Sequence, residues 1–316
     1  MNASEDDRGQ SAYSAYYDMY VVFKVILGLC FLLAIAADIY LIVIISKFKT
    51  IQTNANLLFR SVAWCHLCYS LLGTTLYITV TLLSYGVHHV GVFFLKNVDY
   101  ICLGVVYLIL TFIAVDWAVS QYRTNYYENH PRLFKSGVPI CLLLALPETL
   151  VTSFASFTVD LPALTFLQFM CKAVSYFVCF VVLLVLFVVR KCNPPPTVDP
   201  KAEYRLTVPC VYFLMVLPST ITSSATLSFS THLEDIVFED GSIVGDITSG
   251  IFVLAPVVMV LLLSRTSKYF RTAFIRCCKR KTVEGYADDN LDDAEPVDGE
   301  QNPPVAFRKS FEGVNI

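Results

Sequence analysis

Charged residues are scarce in this sequence. Asp, Glu, Lys and Arg make up 16% of its 316 residues, against about 25% in a typical soluble domain. Apolar residues make up 56% of the sequence, and the mean hydropathy is +0.60. This is more apolar side chain than the core of one water-soluble domain can bury. No basic cluster lies among aromatic residues, so no nucleic-acid partner is indicated. The first twenty residues hold no cysteine, and most of the eleven cysteines lie in or beside apolar blocks, which excludes a disulfide scaffold.

Several other signals are missing. Residues 1–18 carry no basic segment before a short apolar core, so we expect the first membrane helix to direct targeting. His-Glu-x-x-His, Gly-x-Ser-x-Gly and paired intramembrane aspartates are absent, which argues against an enzyme, and no cofactor or metal is predicted. The absence of a helical repeat and of a charge relay argues against a transporter. The last apolar block holds no lysine, which excludes a retinal Schiff base.

Seven apolar blocks dominate what remains, and each is long enough to cross about 30 Å of hydrocarbon. They run over Tyr20–Ile45, Leu57–Thr81, Val98–Ser120, Val138–Phe157, Cys171–Val189, Leu206–Ser228 and Ile243–Leu263. Backbone groups in lipid must pair within their own segment, so the blocks predict an all-α bundle of seven transmembrane helices. Kinks are expected at Pro147, Pro218 and Pro256.

The distribution of bases predicts the orientation. With the N-terminus outside, all but four of the 23 lysines and arginines fall on the cytoplasmic side. The outer exceptions are Arg8, Lys24, Lys96 and Lys172. We therefore expect a multi-pass plasma-membrane protein whose C-terminus is cytoplasmic and whose immediate partner is the lipid bilayer.

Four regions follow from this topology. Residues 1–19 form an extracellular N-terminus, in which Asn2 opens a glycosylation sequon, and residues 20–263 form the bundle. Residues 264–281 predict a basic amphipathic helix along the inner leaflet. Cys277 and Cys278 at its end are either palmitoylated or ordinary reduced thiols. Residues 282–316 predict a disordered acidic tail.

The stretch from Ile44 to Leu67, "IISKFKTIQTNANLLFRSVAWCHL", carries a family resemblance. It is similar to the first cytoplasmic loop and second helix of amine receptors, with Asn56 at the asparagine that opens their second helix. Together with seven helices and a basic amphipathic helix, it resembles a divergent rhodopsin-like G-protein-coupled receptor. The resemblance places Asp38 and His66 where that family has a helix-1 asparagine and a helix-2 aspartate. The two side chains are expected to pair, either as a structural contact or as a pH-dependent switch.

The third helix departs from the family at its inner end. Asp116-Trp117 stands where the family has Asp-Arg, so the arginine that contacts the G protein is missing. Arg123 lies nearly two turns further on, and these three residues are the expected G-protein-facing positions. Asp99, 17 residues before Asp116, has the offset of the amine-binding aspartate, and its alternative is a loop-edge position beside Lys96.

The outer half of the bundle holds the remaining candidates. The resemblance implies a disulfide, for which Cys102 and Cys171 are the available pair, and Pro218 and Pro256 match the kink prolines of the family. A ligand cleft among helices 3, 5, 6 and 7 is expected. Its candidate lining residues are Asp99, Cys102, Tyr176, Ser223 and Asp246.

The resemblance implies an orphan receptor that binds an extracellular ligand, with an amine as one option, and signals to a G protein or adaptor. Two alternatives stay open. A chemosensory receptor for odorants or pheromones would have a more apolar pocket. A receptor-like protein that does not signal would explain the missing arginine.

Overall fold

A computed structural model describes residues 3–82, 89–158, 161–195, 202–230 and 240–278. All of them belong to one structural unit that ends at Cys278, and residues 279–316 lie outside the described part. Within these ranges the regular structure is entirely helical. The helices are α1 Ala3–Lys47, α2 Asn54–Leu82, α3 His89–Tyr122, α4 Thr124–Asn129, α5 Pro131–Lys135, α6 Gly137–Thr158, α7 Leu161–Cys192, α8 Tyr204–Ser230, α9 Asp240–Val253, α10 Ala255–Thr266 and α11 Lys268–Cys278, with a 3-10 turn at Lys49–Ile51.

Six segments of these helices are long and apolar enough to cross a membrane. They are Val21–Lys47, Ile101–Tyr122, Gly137–Ala155, Phe166–Cys192, Tyr204–Ala225 and Ile247–Thr266. The chain is therefore a multi-pass membrane protein. The second apolar block forms α2, which is not among these six segments, so the seventh predicted span remains a prediction.

Several helices begin well before their apolar blocks. α1 begins at Ala3, inside the segment assigned to the extracellular N-terminus, and α7 begins at Leu161, ten residues before its block. Pro147 and Pro218 lie inside continuous helices. At Pro256 the last block divides into α9 and α10, because proline lacks the N–H that would continue the helix.

α3 lies at the centre of the bundle, in contact with α2, α6, α7 and α8. Its inner face is fully buried at Leu103, Val106 and Leu110. The outer faces of α6 and α7 instead carry exposed apolar side chains, such as Leu143 and Phe154, the latter 72% exposed. Such faces are stable against lipid and costly against water.

Polar contacts join the helix ends at one end of the bundle, where α1, α3, α7 and α10 end and α2, α6 and α8 begin. This end, called the basic end below, carries Lys47, Arg123, Arg190, Arg205 and Arg265. The Tyr122 hydroxyl on α3 donates to the Asn193 carbonyl after α7, at 2.7 Å. Gln52 closes the end of α1 by donating from Nε2 to the Ile45 and Ser46 carbonyls.

Candidate functional site

Asp38 of α1 and His66 of α2 form a direct contact inside the bundle. The structure places His66 Nδ1 2.8 Å from Asp38 Oδ2, and the two residues are only 2% and 0% exposed. A neutral imidazole with its proton on Nδ1 would donate to the carboxylate. Because burying either group alone is costly, each stabilises the other in this apolar layer.

Three polar atoms at this pair have no hydrogen-bond partner among the described residues. They are Asp38 Oδ1, His66 Nε2 and the hydroxyl of Tyr212 on α8, and all three are buried. The His66 ring lies 6.2 Å from Phe252 of α9 and 5.9 Å from Tyr69 of α2, measured between centroids. Residues of α1, α2, α8 and α9 therefore meet at a polar pair that is surrounded by aromatic rings.

A buried aromatic cluster continues from this layer across α3, α7 and α8. The rings of Tyr107, Tyr176 and Phe213 lie 5.3–5.4 Å apart. The Tyr176 hydroxyl donates to the Phe213 carbonyl at 2.7 Å. Close aromatic packing and this hydrogen bond couple the position of α7 to that of α8.

A small cavity opens on the side of this cluster away from the basic end. Its lining comes from α3, α7, α8 and α9 and includes Tyr107, Lys172, Tyr176, Thr220, Ser223 and Phe252. The cavity volume is about 30 Å³, room for roughly one water molecule. Ligand pockets measure about 300–1,000 Å³, so a larger ligand would have to displace the walls.

The predicted lining residues divide between those at the cavity and those elsewhere. Tyr176 and Ser223 line the cavity, whereas Cys102 does not. The side chains of Asp99 and Asp246 lie outside the described residues, so their ligand contacts stay predictions. Lys172 is the charged side chain of the described lining, and it was not among the predicted residues.

The predicted disulfide is not formed. Cys102 and Cys171 are both free thiols. Cys171 lies on α7 near Glu148 of α6, with which it interacts electrostatically, while Cys102 lies on α3. The family resemblance implied this disulfide, but the sequence does not determine the direction in which either side chain points.

The start of α8 is anchored to three other helices by three consecutive residues. Glu203 forms an ion pair with Arg190 of α7. The Tyr204 hydroxyl donates to Asn56 Oδ1 of α2 at 3.0 Å. Residues 203–205, called the anchor segment below, thereby fix the basic end of α8.

Arg205, the third residue of the anchor segment, contacts α3. Its Nη1 lies 3.6 Å from Asp116 Oδ2, and Asp116 is only 1% exposed. At 3.6 Å the contact between Arg205 and Asp116 is an ion pair, because the distance is too long for a hydrogen bond. The Tyr127 hydroxyl of α4 lies nearby. Burial raises the pKa of Tyr127, and the Asp116 charge raises it further, so this hydroxyl stays protonated.

The three residues predicted to face a G protein differ in burial. Asp116 and Trp117 are buried, with Trp117 2% exposed, because α3 is the central helix. Trp117 lines a cleft of about 250 Å³ at the basic end, together with Arg190 and Lys191. Arg123, in the turn after α3, is exposed. Contact of these residues with a partner stays a prediction.

Glu148 is a candidate that the sequence reasoning missed. It lies in α6 directly after Pro147, and its Oε2 accepts a hydrogen bond of 2.9 Å from Ser175 of α7. Gly104 of α3 lies beside this oxygen, since a Cβ at that position would be in van der Waals contact with it at 3.6 Å. Glu148 also interacts electrostatically with Lys172 of the cavity. The sequence signal that could have identified Glu148 is a single carboxylate inside an apolar block.

The terminal modification sites remain predictions. Asn2 lies outside the described residues. Cys277 and Cys278 end α11, and their side chains lie outside the described residues.

No protein-family model matches this sequence, and no curated protein matches it either. The site is therefore interpreted from its own geometry.

Proposed function

We propose that this chain is a divergent rhodopsin-like receptor in the plasma membrane, with its N-terminus outside and its basic end in the cytoplasm. In this proposal α2 is the seventh span, α9 and α10 form one broken span, and α11 is the amphipathic helix. The excess of bases at the basic end supports this orientation. A G protein or an adaptor would bind at the basic end.

One observation carries the proposal. Phe252 lines the cavity and also packs against the ring of His66, whose partner is Asp38. A change in the cavity wall would therefore reach the buried pair through a single side chain. In this proposal the ligand site and the buried pair would respond to each other, as a two-state receptor requires.

The small cavity supports a mechanism in which ligand binding moves α8. A ligand larger than water has to separate the walls that α7 and α8 contribute. The anchor segment lies at the end of α8 away from the cavity. Displacement of α8 would therefore strain the contact between Arg205 and Asp116. Lys172 and the hydroxyl of Ser223 favour a ligand with hydrogen-bond acceptors or negative charge. An amine at Asp99 stays the alternative.

Ligand-independent signalling tests this function without knowledge of the ligand. Nucleotide exchange would be measured for each G-protein class in membranes that contain the wild type, Arg205→Gln or the exposed control Arg132→Gln. The arrangement in which the anchor contacts are intact should be the inactive one. Loss of the contact between Arg205 and Asp116 should destabilise it by about 1 kcal/mol, so nucleotide exchange should rise about fivefold for Arg205→Gln and not for the control. Equal surface expression with no exchange for any class would refute signalling through G proteins.

The burial of Trp117 favours one alternative, a receptor-like protein that binds ligand without signalling. A tryptophan at the position of the missing arginine offers no cation to a G protein. Trp117→Arg separates the two functions. A receptor whose other contacts are intact should gain exchange activity from this substitution, whereas a non-signalling protein should stay silent at equal surface expression.

A further inference from the structure

An open cleft lies where α10 ends and α11 begins. Its volume is about 520 Å³, and its lining is Ser264, Arg265, Arg271, Phe274 and Ile275. Both arginines are exposed, and neither forms an ion pair with another described residue. The cleft therefore combines two guanidinium groups with an aromatic and an aliphatic side chain.

The position of the cleft puts it at the membrane surface. The membrane-capable segment ends at Thr266, so Arg265 in its last turn lies at the level of the lipid headgroups. α11 is held against α1 by Tyr40, whose hydroxyl donates to the Phe274 carbonyl at 3.2 Å and whose ring lies 4.9 Å from the Phe274 ring. The wall of the cleft that α11 forms is thereby fixed relative to α1.

α11 presents two different faces. Phe270 and Ala273 are buried, whereas Arg271 and Ile275, one turn apart, are exposed. An exposed aliphatic residue beside a cation is costly in water and fits a molecule that has both a phosphate and an adjacent hydrocarbon chain. A soluble phosphate would use the arginines and leave Ile275 in water.

We propose that this cleft binds one anionic membrane phospholipid. Arg265 and Arg271 hold the phosphate, since guanidinium groups donate paired hydrogen bonds to phosphate oxygens. An acyl chain lies beside Ile275 and Phe274. The site is independent of the proposed signalling function, because it requires only that the segment Ile247–Thr266 spans the membrane.

Native mass spectrometry of the purified full-length protein tests the site. The protein in detergent would be mixed with equal amounts of phosphatidylserine, a phosphatidylinositol bisphosphate and phosphatidylcholine. The wild type should retain one anionic lipid in preference to phosphatidylcholine. Arg265→Gln with Arg271→Gln should reduce that retention roughly 10- to 30-fold, because each base near the surface contributes about a factor of five.

The matched control is Arg123→Gln with Arg132→Gln, which removes the same charge from exposed residues at the same end and should retain the lipid. Ile275→Ser should weaken retention of intact lipid but leave binding of soluble inositol hexakisphosphate unchanged. Equal retention by the Arg265/Arg271 double variant and the wild type would overturn the site. Full competition by the soluble phosphate, together with no effect of Ile275→Ser, would overturn the lipid as its occupant.

A labelling experiment on the wild type covers the case in which the double variant does not fold. A phosphatidylserine with a photoactivatable acyl chain should label the peptide that contains Phe274 and Ile275. Labelling confined to other helices would contradict the proposal.

Discussion

Replacement of Asp38 and His66, singly and together, should show that the two side chains are energetically coupled. Asp38→Ala leaves a buried imidazole without its partner, and His66→Ala leaves a buried carboxyl group without its partner. Each single variant should therefore be less stable than the wild type. In the double variant both polar groups are gone, so it should be more stable than the sum of the single effects predicts.

The size of the coupling follows from the geometry. A contact of 2.8 Å between residues that are 0% and 2% exposed is a hydrogen bond in an apolar environment. Interhelical hydrogen bonds in membrane proteins average about 0.6 kcal/mol and reach about 1.7, whereas bonds to a charged group contribute about 1.5–3 kcal/mol. A coupling near 0.6 kcal/mol would indicate a neutral pair, and one of about 2 kcal/mol would indicate a charged carboxylate.

Unfolding of the purified protein by sodium dodecyl sulfate in mixed micelles, followed by helical circular dichroism, gives the four free energies of unfolding. Asp38→Asn is the matched variant, because it keeps an acceptor for His66 Nδ1 and removes the charge. It should lose less stability than Asp38→Ala if the hydrogen bond dominates. Additivity of the two single alanine effects within about 0.5 kcal/mol would refute the coupling.

Two further predictions concern packing near the basic end. Gly137→Ala should destabilise the protein by about 1–3 kcal/mol, since its Cβ would lie 2.6 Å from Phe112 Cε1. Gly28→Ala is the control, with nothing within 4 Å of its Cβ, and should be neutral or stabilising by up to about 1 kcal/mol in the same micelle assay. Tyr204→Phe should cost about 1–2 kcal/mol by leaving the buried Asn56 Oδ1 unpaired. A Tyr204→Phe variant as stable as the wild type would contradict this role for the hydroxyl.

Hydrophobic blocks predicted the helices well because lipid leaves the backbone few alternatives. Every block lies within a helix of the structure, apart from the break beside Pro256, which proline chemistry anticipates. The family resemblance then predicted that Asp38 and His66 pair, because it aligned them with a helix-1 asparagine and a helix-2 aspartate. The structure brings these two side chains together.

The sequence did not predict contacts between helices that are far apart along the chain. The pairing of Asp116 with Arg205 depends on how α8 lies against α3, and no local pattern encodes that approach. The same limit led to the wrong expectation for Cys102 and Cys171, whose thiols are free. Glu148 was detectable as an acid inside an apolar block, but its partner Ser175 was not.

The anchor segment restricts the directions in which α8 can move. Tyr204 and Arg205 are the first two residues of α8 and project about 100° apart, and Glu203 directly precedes them. The three side chains attach this end of the helix to α7, α2 and α3. A swing of this end away from those three helices therefore requires the release of all three attachments.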